Sequence, residues 1–266
     1  MTQRLDAALA ARGLARSRTH AATLIEEGRV EVAGRVAVKA SIKVDDSADI
    51  TVTAQDHYVS RGAHKLIGAL DGFGIEVAGR PALDMGASTG GFTQVLRERG
   101  ADPVIAVDVG HGQLAPQIAI DAGVHAVEGF NVRYMTPENL ASASGVSAAP
   151  SLVTGDLSFI SLTQILPAVA QVLAPAGDVV LLVKPQFEVG RSKIGGGVVT
   201  DAGLRADAVL EVLFSAHDVG LNTQGVLPSP IRGMRGNVEA LVHLAPGPVS
   251  DPTQWRAAVH QAVDGR

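Results

Sequence analysis

Ala82-Leu-Asp-Met-Gly-Ala-Ser-Thr-Gly-Gly-Phe92 is the stretch on which the fold turns. Ala82 and Leu83 are strand-like, the glycine-rich run is a turn, and a helix is predicted to follow through Arg99. Strand, glycine turn and helix form the cradle that binds a nucleoside cofactor at a strand's C-terminal end. The glycines let the backbone approach the ligand. Gly86-x-x-x-Gly90-Gly91 is not the dinucleotide G-x-G-x-x-G pattern, and no Gly-Lys-Ser/Thr follows for phosphate. Asp84, Gly86, Ala87, Ser88, Thr89, Gly90, Gly91 and Phe92 are the candidate cofactor residues here. Val104 to Val107 form the next strand, ended by Asp108, with Val109 beside it. An acid at that place accepts hydrogen bonds from the two hydroxyls of a ribose. Val124 and Val127 mark a third strand, and Asn131 just beyond it is either an adenine contact or a turn-forming asparagine. S-adenosyl-L-methionine suits this loop best, with NAD as the other choice.

Further along, Ser151-Leu-Val-Thr-Gly-Asp156 and Asp178-Val-Val-Leu-Leu-Val-Lys184 are strands that each end in a charged residue. Leu157 to Leu162 is read as the opening of a helix. Val238 to Leu244 is a late strand with Glu239 near its start, expected to run antiparallel. In an open α/β sheet the C-terminal strand ends face one crevice, so Asp156 and Lys184 converge there. A ribose 2′-hydroxyl is a poor nucleophile and needs a base, or a cation that favours the alkoxide. Lys184 is the candidate base if neighbouring cations and burial lower its pKa. Lys65, in the first turn of a helix over 63–73, would add positive potential; alone it would be a solubility residue. Asp156 and Glu239 would hold the lysines and position the substrate, and Asp156 and Leu157 adjoin the cofactor.

Hydrophobic residues make up 46% of the 266, enough for a sizeable core, and aromatics only 3%, which suits short apolar strands and alanine-rich helices. The absence of cysteine excludes disulfides, thiolate metal clusters and a cysteine nucleophile, and no metal site is expected. No run reaches the roughly 18 apolar residues of a membrane span, and Met1 to Asp6 has no signal-peptide core. The expectation is a cytoplasmic, monomeric protein without a membrane or an obligate protein partner. The net charge of −5 hides an asymmetry: residues 1–44 hold 8 basic and 4 acidic residues, the remainder 14 and 23. A basic module precedes an acidic body.

That module reads as two helices, Arg4 to Arg12 and Arg18 to Glu27, with Ser17 as N-cap of the second. Val30, Val32, Val36 and Val38 alternate about Ala33-Gly34 as a hairpin, and Ile50 and Val52 add a strand. Arg12, Arg16 and Arg18 cluster between the helices, and Lys39 and Lys43 join them from the strands. Such cations suit RNA phosphates, or are simply a solvated basic face. The boundary is placed near residue 57, with domains at 1–56 and 63–266 and a short linker at 57–62.

Arg4-Leu-Asp, Arg12-Gly-Leu-Ala-Arg-Ser-Arg18, Ala21-Ala-Thr-Leu-Ile25 and Gly28-Arg-Val-Glu-Val-Ala-Gly34 resemble an S4 RNA-binding domain. Val59-Ser-Arg-Gly-Ala-His-Lys-Leu66, the Leu83–Thr93 loop, Asp108-Val-Gly-x-Gly-Gln-Leu114, Asp156–Leu162, Val183-Lys-Pro-Gln-Phe-Glu-Val-Gly190 and Gly236-Asn-Val-Glu239 are similar to the TlyA family. The resemblance implies a small α+β S4 domain before an FtsJ-like, Rossmann-like methyltransferase domain. That domain would hold a mostly parallel seven-stranded sheet with helices on both faces. It further implies 2′-O-methylation of cytidine in ribosomal RNA, of 23S type alone or of 23S and 16S type both, on ribosomal subunits. Lys65, Asp156, Lys184 and Glu239 would form the family's Lys-Asp-Lys-Glu tetrad, and Arg4 and Arg61 would join the RNA-binding cations. One departure is Asp56, where the family pattern has arginine. The loops Gln186 to Thr200, with Arg191 and Lys193, and Arg232 to Arg235 are candidate RNA-facing flaps, or plain surface loops. Two other readings are an S4-type RNA-binding protein with a weak methyltransferase domain and a small-molecule methyltransferase. The third, a haemolysin as the family is often named, has no sequence support.

Overall fold

The computed structural model describes residues 2–26, 28–52, 57–190, 195–247 and 250–264. Asp56, Arg191 and Lys193 lie outside them. The chain divides into two compact units, Met1–Arg61 and Gly62–Arg266.

The first unit contains β1 (Gln3–Arg4), α1 (Leu5–Ala11), α2 (Arg18–Glu26), β2 (Val30–Val32), β3 (Arg35–Val36), β4 (Lys43–Val44) and β5 (Ile50–Val52). Leu5, Leu9, Ala21, Leu24, Ile25 and Val30 close its core, as the i, i+4 spacing of the leucines requires. The Ser17 hydroxyl accepts from the His20 amide at 3.1 Å, the expected N-cap bond. Ala33 and Gly34 both take positive φ, the geometry that suits a two-residue hairpin turn. The hairpin is shorter than the valine alternation implies. β3 ends at Val36, and Val36 and Val38 are exposed. Strand β5 pairs with the other edge of β2, and β1 pairs with β4.

The second unit runs α3 (Ala63–Phe73), β6 (Ala82–Met85), α4 (Gly91–Glu98), β7 (Val104–Asp108), α5 (Pro116–Ala119), β8 (Val124–Glu128), α6 (Pro137–Ser144), β9 (Leu152–Gly155), α7 (Leu166–Val172), β10 (Asp178–Val183), α8 (Pro185–Glu188), α9 (Ala202–Asp218), β11 (Leu221–Pro228), β12 (Ala240–Pro246) and α10 (Arg256–Val263). Its sheet has seven strands in the order β11-β12-β10-β9-β6-β7-β8. β10, β9, β6, β7 and β8 are parallel, whereas β12 is antiparallel to both its neighbours. The central strands are buried throughout, which is why they read as unbroken apolar runs. From β6 the chain winds outward to β7 and β8, then returns to β9 and β10. The order reverses between β6 and β9, so the crevice lies at their C-terminal ends.

One further expectation changes. Leu157 to Ile160 is not helical; a short turn of helix spans Leu162–Gln164, and α7 begins only at Leu166, with Pro167 in its first turn. Phe159 takes φ +67, which no helix accommodates. The C-terminal helix is α10, preceded by a tighter turn over Pro252–Trp255.

Candidate active site

Four side chains from distant parts of the chain meet at the crevice in a line of alternating charge. Glu239, just before β12, accepts from Lys65 of α3: Nζ to Oε2 is 2.7 Å. Lys65 Nζ also lies 3.9 Å from Asp156 Oδ2. Asp156, at the end of β9, contacts Lys184 at the end of β10, with Nζ 2.6 Å from Oδ1. Lys184 Nζ further donates to Ser158 Oγ at 2.9 Å. Lys65, Lys184 and Glu239 are 6%, 8% and 3% exposed, so these charges are held out of water and depend on one another. Lys65 is thus no solubility residue. Gly233 explains how Glu239 fits, because a Cβ there would fall 2.0 Å from Oε1.

The glycine-rich turn lies beside this line. Gly86 and Gly90 take φ of +78 and +97, conformations that glycine adopts without strain. At Gly86 a Cβ would press on the Leu157 side chain and the Asp156 carbonyl, so Leu157 borders the turn as expected. Asp108 accepts from the amides of Ser88 (2.9 Å) and Gly110 (2.8 Å), which fixes its carboxylate at the end of β7. A cleft lined by Ala87, Ser88, Asp108, Gln113, Leu114 and Val127 opens there. Its lining sets small apolar side chains beside two acids, Asp108 and Glu128, the latter accepting from the Gly112 amide at 2.7 Å; apolar faces suit a base and a carboxylate suits a ribose diol. Thr89 and Val109 are exposed at its rim.

Not all of the expected cofactor residues reach the cleft. Asp84 is fully buried beneath the turn, where Thr93 Oγ1 (2.7 Å) and Thr154 Oγ1 (3.2 Å) donate to its two oxygens. Burial pushes its pKa up to about 7, more than the two hydroxyls lower it. Gly91 and Phe92 are likewise buried, supporting the turn from below. Asn131 is a cap: its Oδ1 accepts from the Arg133 amide at 3.0 Å, the turn-forming alternative.

Three side chains beside the lysines escaped the sequence reading. Phe159 is 91% exposed, and its ring lies 5.1 Å from that of Phe187. Lys184 Nζ sits 5.9 Å from the centre of the Phe187 ring. Glu188 accepts from Ser161 Oγ (2.5 Å) and the Leu162 amide (3.0 Å). Pro167 is the signal that delays α7 and leaves Phe159 in a loop.

In the first unit, Asp6 is buried and bonds Arg4 and Arg18, with Arg4 Nε at 3.0 Å from Oδ1 and Arg18 Nη2 at 3.0 Å from Oδ2. The Arg4 guanidinium, aided by Arg18, holds its carboxyl down to about 2. Arg12 donates to the carbonyls of Ala48 (2.7 Å) and Asp45 (2.8 Å) and so ties α1 to the turn before β5. Arg61 lies over Gly28, where a Cβ would meet its guanidinium. Arg16, Arg18, Lys39 and Lys43 are exposed.

Fold and site together define a Rossmann-like methyltransferase with an appended S4 domain. Residues 58–245 match the FtsJ-like methyltransferase family and residues 3–50 the S4 domain. The chain is 50% identical over 244 residues to the 16S/23S rRNA (cytidine-2′-O)-methyltransferase TlyA of Mycobacterium tuberculosis, covering 91% of this chain and 89% of that protein. It is 37% identical to Hemolysin A of Brachyspira hyodysenteriae, covering 90% and 98%. A solved structure of a hemolysin-named protein from Streptococcus thermophilus superposes with a TM-score of 0.75 at 38% identity, covering 99% and 96%. This chain belongs to the TlyA family. Among the described residues, no helix is long and apolar enough to cross a membrane, and no group of three or more potential ligands could hold a metal ion.

Proposed function

We propose that the protein is an S-adenosylmethionine-dependent 2′-O-methyltransferase whose acceptor is a cytidine ribose in ribosomal RNA, of the 23S and also the 16S type. The buried Glu239–Lys65–Asp156–Lys184 line beside the glycine-rich cleft carries this reading. Relatives add direction, since the M. tuberculosis protein is named for both RNAs and a 34% identical Campylobacter jejuni protein for 23S alone. S-adenosylmethionine, when bound, supplies an electrophilic methyl group.

Each residue has a task in this reading. Asp108 holds the ribose of the cofactor, and the glycine turn shapes its seat. Asp156 holds Lys184 in place, and Lys184 enters the step as the unprotonated amine, so that its Nζ takes the proton of the acceptor 2′-hydroxyl as the oxygen attacks. Lys65, pinned by Glu239, supplies fixed positive potential where alkoxide character develops. Because the charges are already in place, the remaining requirement is in-line positioning of oxygen and methyl. Phe159, exposed beside Lys184, suits a base drawn out of its helix, because an aromatic face accepts stacking without a hydrogen-bond code. Arg16, Arg18, Lys39 and Lys43 suit phosphates of folded RNA.

The test is to incubate the protein and methyl-labelled S-adenosylmethionine with ribosomal subunits from cells lacking it. Label is expected in RNA, within an alkali-resistant dinucleotide, since a methylated 2′-oxygen cannot attack the neighbouring phosphate. Lys184→Ala should lower the rate by about 100-fold or more while cofactor binding persists. An unlabelled RNA would refute the reading, and full turnover by the variant would refute the assigned base.

A further inference from the structure

The segment Asp156–Leu162 and the turn Lys184–Glu188 are joined three times in register. At one end Lys184 contacts Asp156 (2.6 Å) and Ser158 (2.9 Å). In the middle the rings of Phe159 and Phe187 pack at 5.1 Å, tilted by 51°. At the other end Glu188 takes a hydrogen bond on each oxygen, from Ser161 Oγ at 2.5 Å and from the Leu162 amide at 3.0 Å. Positions 184, 187 and 188 are spaced i, i+3, i+4, so a single helical turn presents all three to the segment.

This clamp has something to hold. Phe159 sits at φ +67 with its ring 91% exposed. A non-glycine residue in that region is strained and persists only where its surroundings impose it. An exposed ring cannot supply that force through burial, so the contacts on either side must. Lys184 fixes the near side as part of its chemistry. Nothing in the chemistry explains the far side, where, among the described residues, a half-buried carboxylate accepts from two donors of the segment. Burial raises the Glu188 pKa, a cost that two hydrogen bonds offset in part.

We infer that Glu188 is a positioning residue for methyl transfer: it fastens the far end of the Asp156–Leu162 segment to α8 and so holds Phe159 beside Lys184 as a ledge for the acceptor nucleotide. The ledge rests on the proposed function; the fastening does not. Glu188 touches neither acceptor nor cofactor, and its effect travels through Phe159.

Two measurements test it on the full chain. The first is a double-mutant cycle with labelled S-adenosylmethionine and ribosomal subunits. Glu188→Ala and Phe159→Ala should each lower kcat/KM for the subunits by about tenfold, with cofactor Kd changed by less than about twofold. The double variant should be no more than about twofold worse than the poorer single variant, because both remove the same ledge. Multiplying losses, near 100-fold, would overturn the inference, as would a parallel loss of cofactor affinity. The second is hydrogen exchange. Amides of 157–162 should exchange faster in Glu188→Ala, while those of 86–92 stay unchanged. Unaltered exchange at 157–162 overturns the fastening whatever the acceptor is. Should Glu188→Ala fail to fold, Ser161→Ala removes one of the two bonds and must show the same pattern at smaller size. Wild-type protein that labels no RNA would undo the proposed function, while the exchange result would still decide the fastening.

Discussion

Asp84 shows how one residue can support a site without facing it. It opens the glycine turn in sequence, yet its oxygens point at Thr93 of α4 and Thr154 of β9, and no water reaches it. It therefore joins three elements directly beneath the turn. Its pKa rises from 3.8 to about 7, chiefly through desolvation, with the nearby charge of Asp156 also raising it. The folded state thus binds a proton over a range in which the unfolded chain has lost it. Between about pH 4 and pH 7 unfolding releases that proton, so this residue's contribution to stability falls as the pH rises. Across the whole window the loss amounts to about a few kcal/mol. Asp84→Asn keeps the shape and removes the titration. The stability gap between wild type and Asp84→Asn should narrow, or reverse in favour of the variant, from pH 4.5 to pH 8 by urea denaturation. A gap that widens with pH would mean that Asp84 is ionised inside the fold.

At the level of elements, the loop between β11 and β12 bears on the chemistry as directly as any strand. Its ends are joined by the Ser229 amide to the Glu239 carbonyl (3.0 Å), and within it the Gly233 amide donates to the Asn237 carbonyl (2.9 Å). Asn237 reaches out to the next loop, donating to the Gly197 carbonyl at 2.9 Å and accepting from the Val199 amide at 3.3 Å. Gly233 is the place where this loop passes over the Glu239 carboxylate. That carboxylate cannot yield, because Lys65 holds its other oxygen at 2.7 Å. Gly233→Ala should therefore displace Glu239, break its bond to Lys65 and lower methyl transfer by about tenfold or more, leaving cofactor affinity intact. Retained turnover, with Glu239 still on Lys65 in a structure of the variant, would count against it. This loop also marks where sequence reading stopped. The glycine turn and Asp108 were legible because strand, turn and acid are local in the chain. The convergence of Asp156 and Lys184 followed from the rule that parallel strand ends share a crevice. Glu239 was expected to hold a lysine, but the burial of Lys65 was not legible, because it arises only where α3 packs against the end of β9 and the residues before β12. Leu157 to Leu162 reads as the opening of the following helix, whereas Pro167 starts α7 late and the contacts of Lys184 and Glu188 hold the segment out of a helix. Between Thr200 and Val238 the reading named no strand or helix, although α9 and β11 lie there. The α9 pattern is apolar on much of its surface, since it packs against both β11 and α10, and so lacks a sharp amphipathic period.

For the whole molecule, the division of charge falls short of the division of core: residues 1–44 hold 8 basic and 4 acidic residues, but the first unit, carried on to Arg61, holds 9 and 8. The core of the first unit, around Leu5, Leu9, Leu24 and Ile25, shares no residue with that of the second, around Leu83, Val107, Leu181 and Val242. A unit with its own core can in principle fold alone. The Glu239–Lys65–Asp156–Lys184 line, the glycine turn and Asp108 all belong to the second unit, while the exposed cations Arg16, Arg18, Lys39 and Lys43 belong to the first. Cofactor binding should then need only the second unit, and capture of RNA should need both. A chain of residues 62–266 should fold cooperatively and bind S-adenosylmethionine within a few-fold of the full chain. Its methylation of ribosomal subunits should fall by about tenfold or more, through a raised KM. Salt supplies the sharper test. Phosphate contacts release counterions, so each cation lost flattens the slope of log affinity against log salt by roughly 0.7 to 0.9. Lys39→Ala with Lys43→Ala in the full chain should reduce that slope by about 1.5 and leave kcat unchanged, because neither residue belongs to the catalytic unit. An unchanged slope would mean that the basic face of the first unit is merely solvated and that the catalytic unit captures the RNA by itself.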